Sequence, residues 1–311
     1  MRDRGGTPAA PRPFPRRGDR RGPAGDRRHR RGPASVVKAE IRYGKHEVSF
    51  YRTHPTRGLL AGRVSVDVFG DNFMPAYTEG DNRDVVATDT MKNFVYAAAL
   101  EYPGASHEGF AAFLGRRFLG TYPQMQWMRL LLREIPFAAH SPKLLSPLDD
   151  DYGTVEIEIA QSGLRDLRCG RRNLRLVKLT GSAFKDFARD AYTTLPEVSD
   201  RPLFIYLDVH WRYRRMEDGV DDSAARIDSA AVRDAIIATF DEFVSMSIQH
   251  LVHEMGTRLL ARFDGMAEVS FDAQNRLWDT SKVSESDPTV KVFSDPKPAH
   301  GMIGLTLTRD A

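Results

Sequence analysis

The stretch PLFIYLDVHWRY at residues 202–213 alternates apolar with polar side chains along most of its length. Its apolar positions on one side are Ile205, Leu207, Val209 and Trp211. A period of two is typical of a β-strand that buries one face and leaves the other face polar. This stretch therefore predicts a sheet that is covered by helices on one face only.

A helical pattern follows this strand along the chain. Apolar residues recur with the helical period from about Ala230 to Arg262, and this run is too long for an ordinary globular helix. The cluster Ser245, Met246 and Ser247 interrupts the run, and serine both competes for backbone hydrogen bonds and caps helices well. Two consecutive helices are therefore expected. The strands predicted around them lie at 172–180, 266–273 and 301–309.

The first half of the chain shows the same order of patterns. One apolar helical face ends before Pro103, and Ser106 can cap a second helix. The strands predicted around these two helices lie at 38–52, 64–68, 124–137 and 154–160. Because the order strand, strand, helix, helix, strand, strand occurs twice, we predict an α+β chain of two similar domains, at 36–168 and 169–311. Each would be a four-stranded antiparallel sheet with two helices on one face.

Sheets of this kind leave strand edges without hydrogen-bond partners. Unpaired edges invite pairing with further strands, from the same chain or from another one. Joining the two domains and then several subunits edge to edge into a barrel would remove these edges. We therefore expect an oligomer.

Residues 1–35 differ in composition from the rest of the chain. They contain eleven arginines, three aspartates, six prolines and six glycines, so they carry a charge of +8. The whole chain carries +3, which leaves −5 for residues 36–311. A segment so poor in large apolar side chains cannot offset the entropy of ordering, and a disordered tail is expected. A nucleic-acid-binding arm is the alternative, because clustered arginine attracts phosphate.

The remaining composition indicates a globular protein of a reducing compartment. No apolar run approaches the roughly 18 residues that a membrane helix needs, and the N-terminus carries arginine and proline where a signal peptide is apolar. The single cysteine, Cys169, cannot form an internal disulfide. A soluble, cytoplasmic protein is expected.

Five stretches together resemble the urate oxidase (uricase) family. They are YGKHEVSFYR at 43–52, DNRDVVATDTMKNFVY at 81–96, RDAYTTL at 189–195, SIQHLVHEM at 247–255 and AQNRLWD at 273–279. The resemblance implies the tunnelling fold (T-fold), with two such halves per chain, and a homotetramer with active sites where subunits meet. It also implies oxidation of urate by O2 and water to 5-hydroxyisourate and hydrogen peroxide, without metal or organic cofactor.

The resemblance assigns substrate-binding roles to particular residues. Arg201 would grip one edge of urate with two parallel hydrogen bonds, which a lysine cannot form. Gln249 would hold the opposite edge, since an amide can donate and accept at once. Phe184 would stack over the purine ring, and Leu195 and Ile248 would form apolar walls.

Two predicted helix starts also belong to this site. Thr88 and Asp89 lie where the first helix begins, and Ile248 and Gln249 lie where another begins. Helix starts present unpaired N–H groups and partial positive charge, which favour an anion such as urate. Thr88 and Asp89 are therefore expected to bind substrate.

For catalysis, Lys45 and Thr88 resemble the proton-relay pair of the family. A desolvated lysine can act as a base, with the threonine hydroxyl passing the proton. Asn275 resembles the asparagine that holds oxygen or water above the ring. Many family members continue as Asn-Lys-His, whereas Asn275 is followed here by Arg276 and Leu277. Leucine cannot transfer protons, so either the relay runs through Lys45, Thr88 and water or another group replaces the histidine.

Other functions are weighed against this one. His250, His253 and Glu254 do not follow the order of zinc peptidases, and no third ligand accompanies the two histidines in the sequence, so no metal site is predicted. A second reading is another T-fold enzyme that acts on pterins or guanine nucleotides. A third is a nucleic-acid-binding protein that acts through its arginine-rich tail.

Overall fold

The computed structural model describes residues 39–221 and 225–310, and the arginine-rich tail at 1–35 lies outside these residues. Within them the chain forms twelve strands and six helices. The strands are β1 (Arg42–His54), β2 (Gly58–Phe69), β3 (Trp127–Glu134), β4 (Phe137–Ser141), β5 (Leu144–Pro147), β6 (Tyr152–Ala160), β7 (Gly163–Lys178), β8 (Leu203–Tyr213), β9 (Met266–Asn275), β10 (Asp279–Val283), β11 (Lys291–Ser294) and β12 (Gly301–Thr308). The helices are α1 (Met74–Thr78), α2 (Thr88–Glu101), α3 (His107–Thr121), α4 (Met216–Val220), α5 (Ser229–Glu242) and α6 (Ile248–Arg262), and a 3-10 turn at Asp71–Phe73 precedes α1.

Eight of the strands form one antiparallel sheet in the order β1-β2-β3-β6-β7-β8-β9-β12. The strands β1 and β12 are its two edges, and β6 pairs with β7 at its centre. The four longer helices lie against this sheet, with α2 and α3 on the first four strands and α5 and α6 on the last four. The predicted order of two strands, two helices and two strands therefore occurs twice, and the predicted α+β class is confirmed. The pairs β4–β5 and β10–β11 form separate two-stranded hairpins.

The predicted helix boundaries are also confirmed. The break in the long helical run falls between α5 and α6, and the hydroxyl of Ser247 accepts a hydrogen bond of 3.1 Å from the N–H of His250. The hydroxyl of Ser106 likewise accepts from the N–H of Gly109 at the start of α3. Serine thus caps both helices where the sequence pattern placed their beginnings.

Other elements differ from the prediction. Strand β7 begins at Gly163 rather than near residue 172, because polar side chains along it hide the alternation. The predicted division between residues 168 and 169 falls inside this strand, so the division into two domains stays a prediction. The elements that the sequence pattern missed are short. Each strand of the hairpins β4–β5 and β10–β11, and each of the helices α1 and α4, has only four or five residues, too few for a periodic pattern.

The two faces of the eight-stranded sheet differ in chemistry. On the helix-covered face of β8, every second residue from Leu203 to Tyr213 is buried. The opposite face carries ion pairs between neighbouring strands, such as Arg129 with Glu158 at 2.7 Å. Further pairs join Arg172 with Asp208, and Arg212 with Asp166. Sheets with one apolar and one polar face follow from the period of two in the sequence.

None of the helices within residues 39–221 and 225–310 combines the length and the apolar character that a bilayer crossing requires.

Replacing a core leucine tests the packing of the covered face. Leu130 of β3 is fully buried, so Leu130→Ala should lower the free energy of unfolding by about 2–5 kcal/mol. The control is Leu100→Ala in α2, whose leucine is 82% exposed, and its effect should stay within about 0.5 kcal/mol. Urea unfolding at a single protein concentration measures both. Equal losses in the two variants would contradict the described burial.

Candidate active site

Lys45 lies on β1 beside the beginning of α2. The α2 helix starts at Thr88, and Asp89 follows in its first turn. The Asp89 carboxylate accepts hydrogen bonds from Lys92 at 2.5 Å and from Asn93 at 3.3 Å. The bond from Lys92 holds the pKa of Asp89 below its usual value, and the nearby charge of Lys45 acts in the same direction. The predicted residues Lys45, Thr88 and Asp89 are therefore brought together.

The α2 helix differs from the other long helices at its N-terminus. Ser106, Asp228 and Ser247 cap α3, α5 and α6 with their side chains, whereas α2 begins after Ala87 without a side-chain cap. The hydroxyl of Thr88 makes no hydrogen bond within the described part of the chain. The first turn of α2 thus offers free N–H groups and a free hydroxyl, which can bind an anion.

A second group of residues lies before β8. The backbones of Phe184 and Val198 exchange two hydrogen bonds, of 2.8 and 2.9 Å, and the Arg201 N–H donates to the Ser182 carbonyl at 2.9 Å. The Asp200 carboxylate closes this loop by accepting the N–H of Gly181 at 2.7 Å. These bonds place the Arg201 guanidinium 5.7 Å from the centre of the Phe184 ring. The predicted planar cation and the predicted stacking ring are therefore neighbours.

The Arg201 guanidinium has no counter-ion in the described part of the chain. Within residues 39–221 and 225–310 no carboxylate lies within ion-pair distance of Arg201, and its buried Nε atom has no hydrogen-bond partner. Burial lowers the pKa of this guanidinium. Because a partly desolvated cation without a partner is unfavourable, this position favours the binding of an anion.

Backbone pairing brings the start of α6 to the same place. Ser182 and Ser245 form a parallel bridge, in which the Ala183 N–H donates to the Ser245 carbonyl at 2.9 Å. The α6 helix begins three residues later with Ile248, which is buried, and Gln249, which is exposed. The Gln249 amide makes no hydrogen bond inside the described ranges, so it is free to bind a ligand.

Asn275 and Leu195 complete this second group. Asn275 ends β9 opposite Ile205 of β8, and its buried Oδ1 atom has no hydrogen-bond partner among the described residues. Leu195 and Arg201 line a cleft of about 460 Å³. Leu277, where the resemblance to the family predicts a histidine, lines the same cleft. An apolar side chain thus lines the cleft at this position.

The two groups of predicted residues lie far apart within one chain. Lys45 belongs to the edge strand β1, whereas the second group surrounds the starts of β8 and α6. Five strand spacings separate β1 from β8, which is on the order of 24 Å along the sheet. A single chain therefore brings together three of the nine predicted site residues at one place and six at another.

The histidine-containing segment of α6 makes other contacts. The His250 ring packs edge-on against Phe243 at 4.6 Å, and Glu254 forms an ion pair with Arg258 at 2.7 Å. No cluster of three or more metal-binding side chains occurs in the part of the chain that the structure describes.

Sequence reasoning assigned no role to Tyr43. Its hydroxyl accepts the N–H of Val86 at 3.0 Å, two residues before Thr88, and its ring packs edge-on against Phe73 at 5.3 Å. Burial raises the pKa of Tyr43. The only sequence signal was its place next to Gly44 and Lys45 in the YGK stretch.

Comparison with known proteins identifies the family. A family model described as Uricase matches residues 31–143 and 167–303. The uric acid degradation bifunctional protein PucL of Bacillus subtilis is 36% identical over 306 residues, which cover 88% of this chain and 62% of that protein. A uricase of Haloferax volcanii is 36% identical over 303 residues, which cover 86% of this chain and 98% of that protein. The chain spans about three fifths of the two bifunctional relatives that it matches, 62% of one and 60% of the other.

The fold agrees with this match. A crystal structure of the urate oxidase from Bacillus sp. TB-90 is similar with a TM-score of 0.80 at 32% identity, covering 86% of this chain and 100% of that chain. The predicted tunnelling fold is thereby confirmed. Sequence match and fold together show that the chain belongs to the uricase family.

Proposed function

We propose that this protein is a urate oxidase, which oxidises urate with O2 and water to 5-hydroxyisourate and hydrogen peroxide. The observation that carries the proposal is the Arg201 guanidinium, which lies over Phe184 and has no acidic partner among the residues that the structure describes. A flat anion with carbonyl oxygens on its rim matches both features, because it can stack on the ring and accept two parallel hydrogen bonds. Membership of the uricase family supports the same substrate.

The second group binds urate in this proposal. Arg201 holds one edge of the purine, and the free amide of Gln249 holds the opposite edge. Phe184 stacks on one face of the ring, while Leu195 and Ile248 limit the site laterally. The Asn275 side chain, whose buried Oδ1 atom has no hydrogen-bond partner among the described residues, holds O2 or water above the ring.

The first group, formed by Lys45, Thr88 and Asp89, removes a proton from urate in this proposal. Lys45 acts as the base and the free Thr88 hydroxyl passes the proton to it, while the N–H groups of Thr88 and Asp89 face the anion. Doubly deprotonated urate is electron-rich enough to transfer an electron to O2, so the proposed reaction runs without metal or organic cofactor. Since Leu277 cannot relay protons, the relay runs through Lys45, Thr88 and water.

The proposed site needs two copies of the chain. Because the two groups lie on the order of 24 Å apart along one sheet, a second subunit has to supply one of them. The edge strands β1 and β12 are available for pairing between subunits, and their pairing would close the sheets into a barrel. The ion pairs on the open face suit a water-filled interior. A homotetramer of two-domain T-fold subunits is therefore part of the proposal.

The remaining expectations complete this proposal. A cytoplasmic location fits the single buried cysteine, Cys169, which stays reduced in such a compartment. The family match does not favour an enzyme of pterins or guanine nucleotides, nor a nucleic-acid-binding protein.

The direct test is turnover of urate by the purified full-length protein in air. The near-ultraviolet absorbance of urate should fall while hydrogen peroxide accumulates in equal amount. A metal chelator should leave the rate unchanged, because the proposed chemistry uses only protein side chains. Absence of turnover with and without the chelator would overturn the proposed function, and loss of turnover with the chelator would overturn its cofactor-free form.

Single substitutions should separate binding from catalysis. Lys45→Ala and Thr88→Ala should each lower kcat by about 100-fold or more with little change in KM, because each removes part of the proton transfer. Arg201→Ala should mainly raise KM for urate, by about 10-fold or more. Arg201→Lys should not restore the wild-type KM, because a lysine cannot form two parallel hydrogen bonds. The control is Arg262→Ala, whose exposed arginine also lies over a phenylalanine, at 5.5 Å. Uniform losses in all five variants would indicate misfolding rather than these roles.

Mixed oligomers should show that the site is shared. Lys45→Ala and Arg201→Ala chains are each expected to be nearly inactive at low urate concentration. Coexpression should restore activity, because about a quarter of the sites in randomly assembled pairs combine an intact first group with an intact second group. The rate of coexpressed chains is compared with the sum of the two separate rates. No gain above that sum would contradict a site built from two subunits.

A further inference from the structure

The β1 strand changes the face on which its side chains lie directly after Lys45. Lys45 pairs with Val66 and Val48 pairs with Val64, so two residues of β1 face the single residue Ser65 of β2. Two residues opposite one define a β-bulge. The second of the two, Glu47, has a φ of 58°, which lies in the left-handed region.

The bulge reverses the alternation of β1. Beyond it, Val48 and Phe50 point to the helix-covered face and are buried. In a regular strand Lys45 would then lie on the opposite, charged face, because it is an odd number of residues away. The extra residue moves Tyr43 and Lys45 to the helix-covered face, and the packing of Tyr43 against Phe73 at 5.3 Å agrees with this placement.

The contacts of Glu47 hold the bulge in place. Its N–H donates to the Ser65 hydroxyl at 3.3 Å. Its carboxylate forms an ion pair with Arg133 of β3, and a longer one of 3.9 Å with Arg63 of β2. Gly44 contributes next to Lys45, because a Cβ atom there would lie 1.8 Å from the Val66 carbonyl oxygen.

Tyr43 ties the same strand to the start of α2. Its hydroxyl accepts the N–H of Val86, which is buried and lies two residues before Thr88. Lys45 lies two residues further along β1 than Tyr43, and its side chain is on the same face of the sheet. This hydrogen bond joins the strand that carries Lys45 to the segment that leads into Thr88 at the start of α2.

We infer that Tyr43 and the bulge at His46–Glu47 are positioning elements, which place the Lys45 amine beside the Thr88 hydroxyl. The bulge selects the face of the sheet, and the Tyr43 hydroxyl fixes the beginning of α2 relative to it. This inference rests on the proposed function, in which Lys45 and Thr88 remove a proton from urate. Neither Tyr43 nor Glu47 touches the substrate in this scheme.

Tyr43→Phe tests the hydrogen bond, because it keeps the ring against Phe73 and removes only the hydroxyl. It should lower kcat by about 10-fold, shift the pH at which kcat is half-maximal, and leave KM within about 2-fold. It should also speed hydrogen exchange of the Val86 amide. The matched control is Tyr77→Phe, which removes the bond from an exposed tyrosine hydroxyl to the Arg42 carbonyl at 3.2 Å and should change none of these. A wild-type kcat and pH profile in Tyr43→Phe would overturn the role of Tyr43.

Glu47→Val tests the bulge, because a β-branched residue is disfavoured at positive φ whereas glycine adopts it readily. Glu47→Val should lower kcat by about 100-fold, and Glu47→Gly by only about 3-fold, with KM for urate little changed in both. The extent of acetylation of Lys45, measured by mass spectrometry, should differ from that of the wild type in Glu47→Val and should equal it in Glu47→Gly. Equal kcat and equal labelling in the two variants would overturn the role of the bulge.

Urate turnover by the wild-type protein distinguishes failure of this inference from failure of the proposed function. If the wild-type protein oxidises urate while Tyr43→Phe and Glu47→Val match it, the inference fails and the proposed function stands. If the wild-type protein does not oxidise urate, the proposed function fails. In that case the exchange rate of the Val86 amide and the labelling of Lys45 still decide whether Tyr43 and the bulge place these residues.

Discussion

Side chains on the helix-covered face of the inner strands of the eight-stranded sheet are mostly buried, whereas the opposite face carries ion pairs. This one-sided burial fixes the register of these strands, because a shift by one residue would exchange the two faces. The strand order leaves β1 and β12 as the two edges of the sheet. The separation of the candidate site into two groups follows from this arrangement, since one group starts on an edge strand and the other lies several strands away.

Several arginines on the open face of the sheet are paired with carboxylates of neighbouring strands, as Arg129 is with Glu158 and Arg172 is with Asp208. Arg201 is half-buried over a phenylalanine ring and has no such partner among the described residues. Paired arginines stabilise the sheet modestly and need no ligand. A partly desolvated arginine without an acidic partner among the described residues favours the binding of an anion, which supports the role proposed for Arg201.

Much of the fold could be predicted because its elements are periodic. The alternation in β8 and the serines before α3 and α6 each have a local physical cause, and the structure agrees with them. The hairpins β4–β5 and β10–β11 could not be predicted, since a strand of four or five residues carries no clear period.

The candidate site was less accessible to sequence reasoning. The types of side chain that suit urate could be assigned through motifs that resemble the uricase family. The separation of Lys45 from Arg201 depends on strand order, which motifs do not contain. The bulge after Lys45 was equally hidden, because one inserted residue reverses the face of a side chain without a distinctive sequence pattern. Leu277 shows the reverse case, because the departure from Asn-Lys-His is visible in the sequence but the cleft that Leu277 shares with Arg201 is not.

The shared site is best tested by a crystal structure of the protein with a urate analogue that cannot be oxidised. We expect the analogue to be stacked on Phe184 and held by Arg201 and Gln249 of one chain, with the first turn of α2 from a second chain facing it. An analogue bound only by residues of one chain, or bound away from Arg201, would rule out this site.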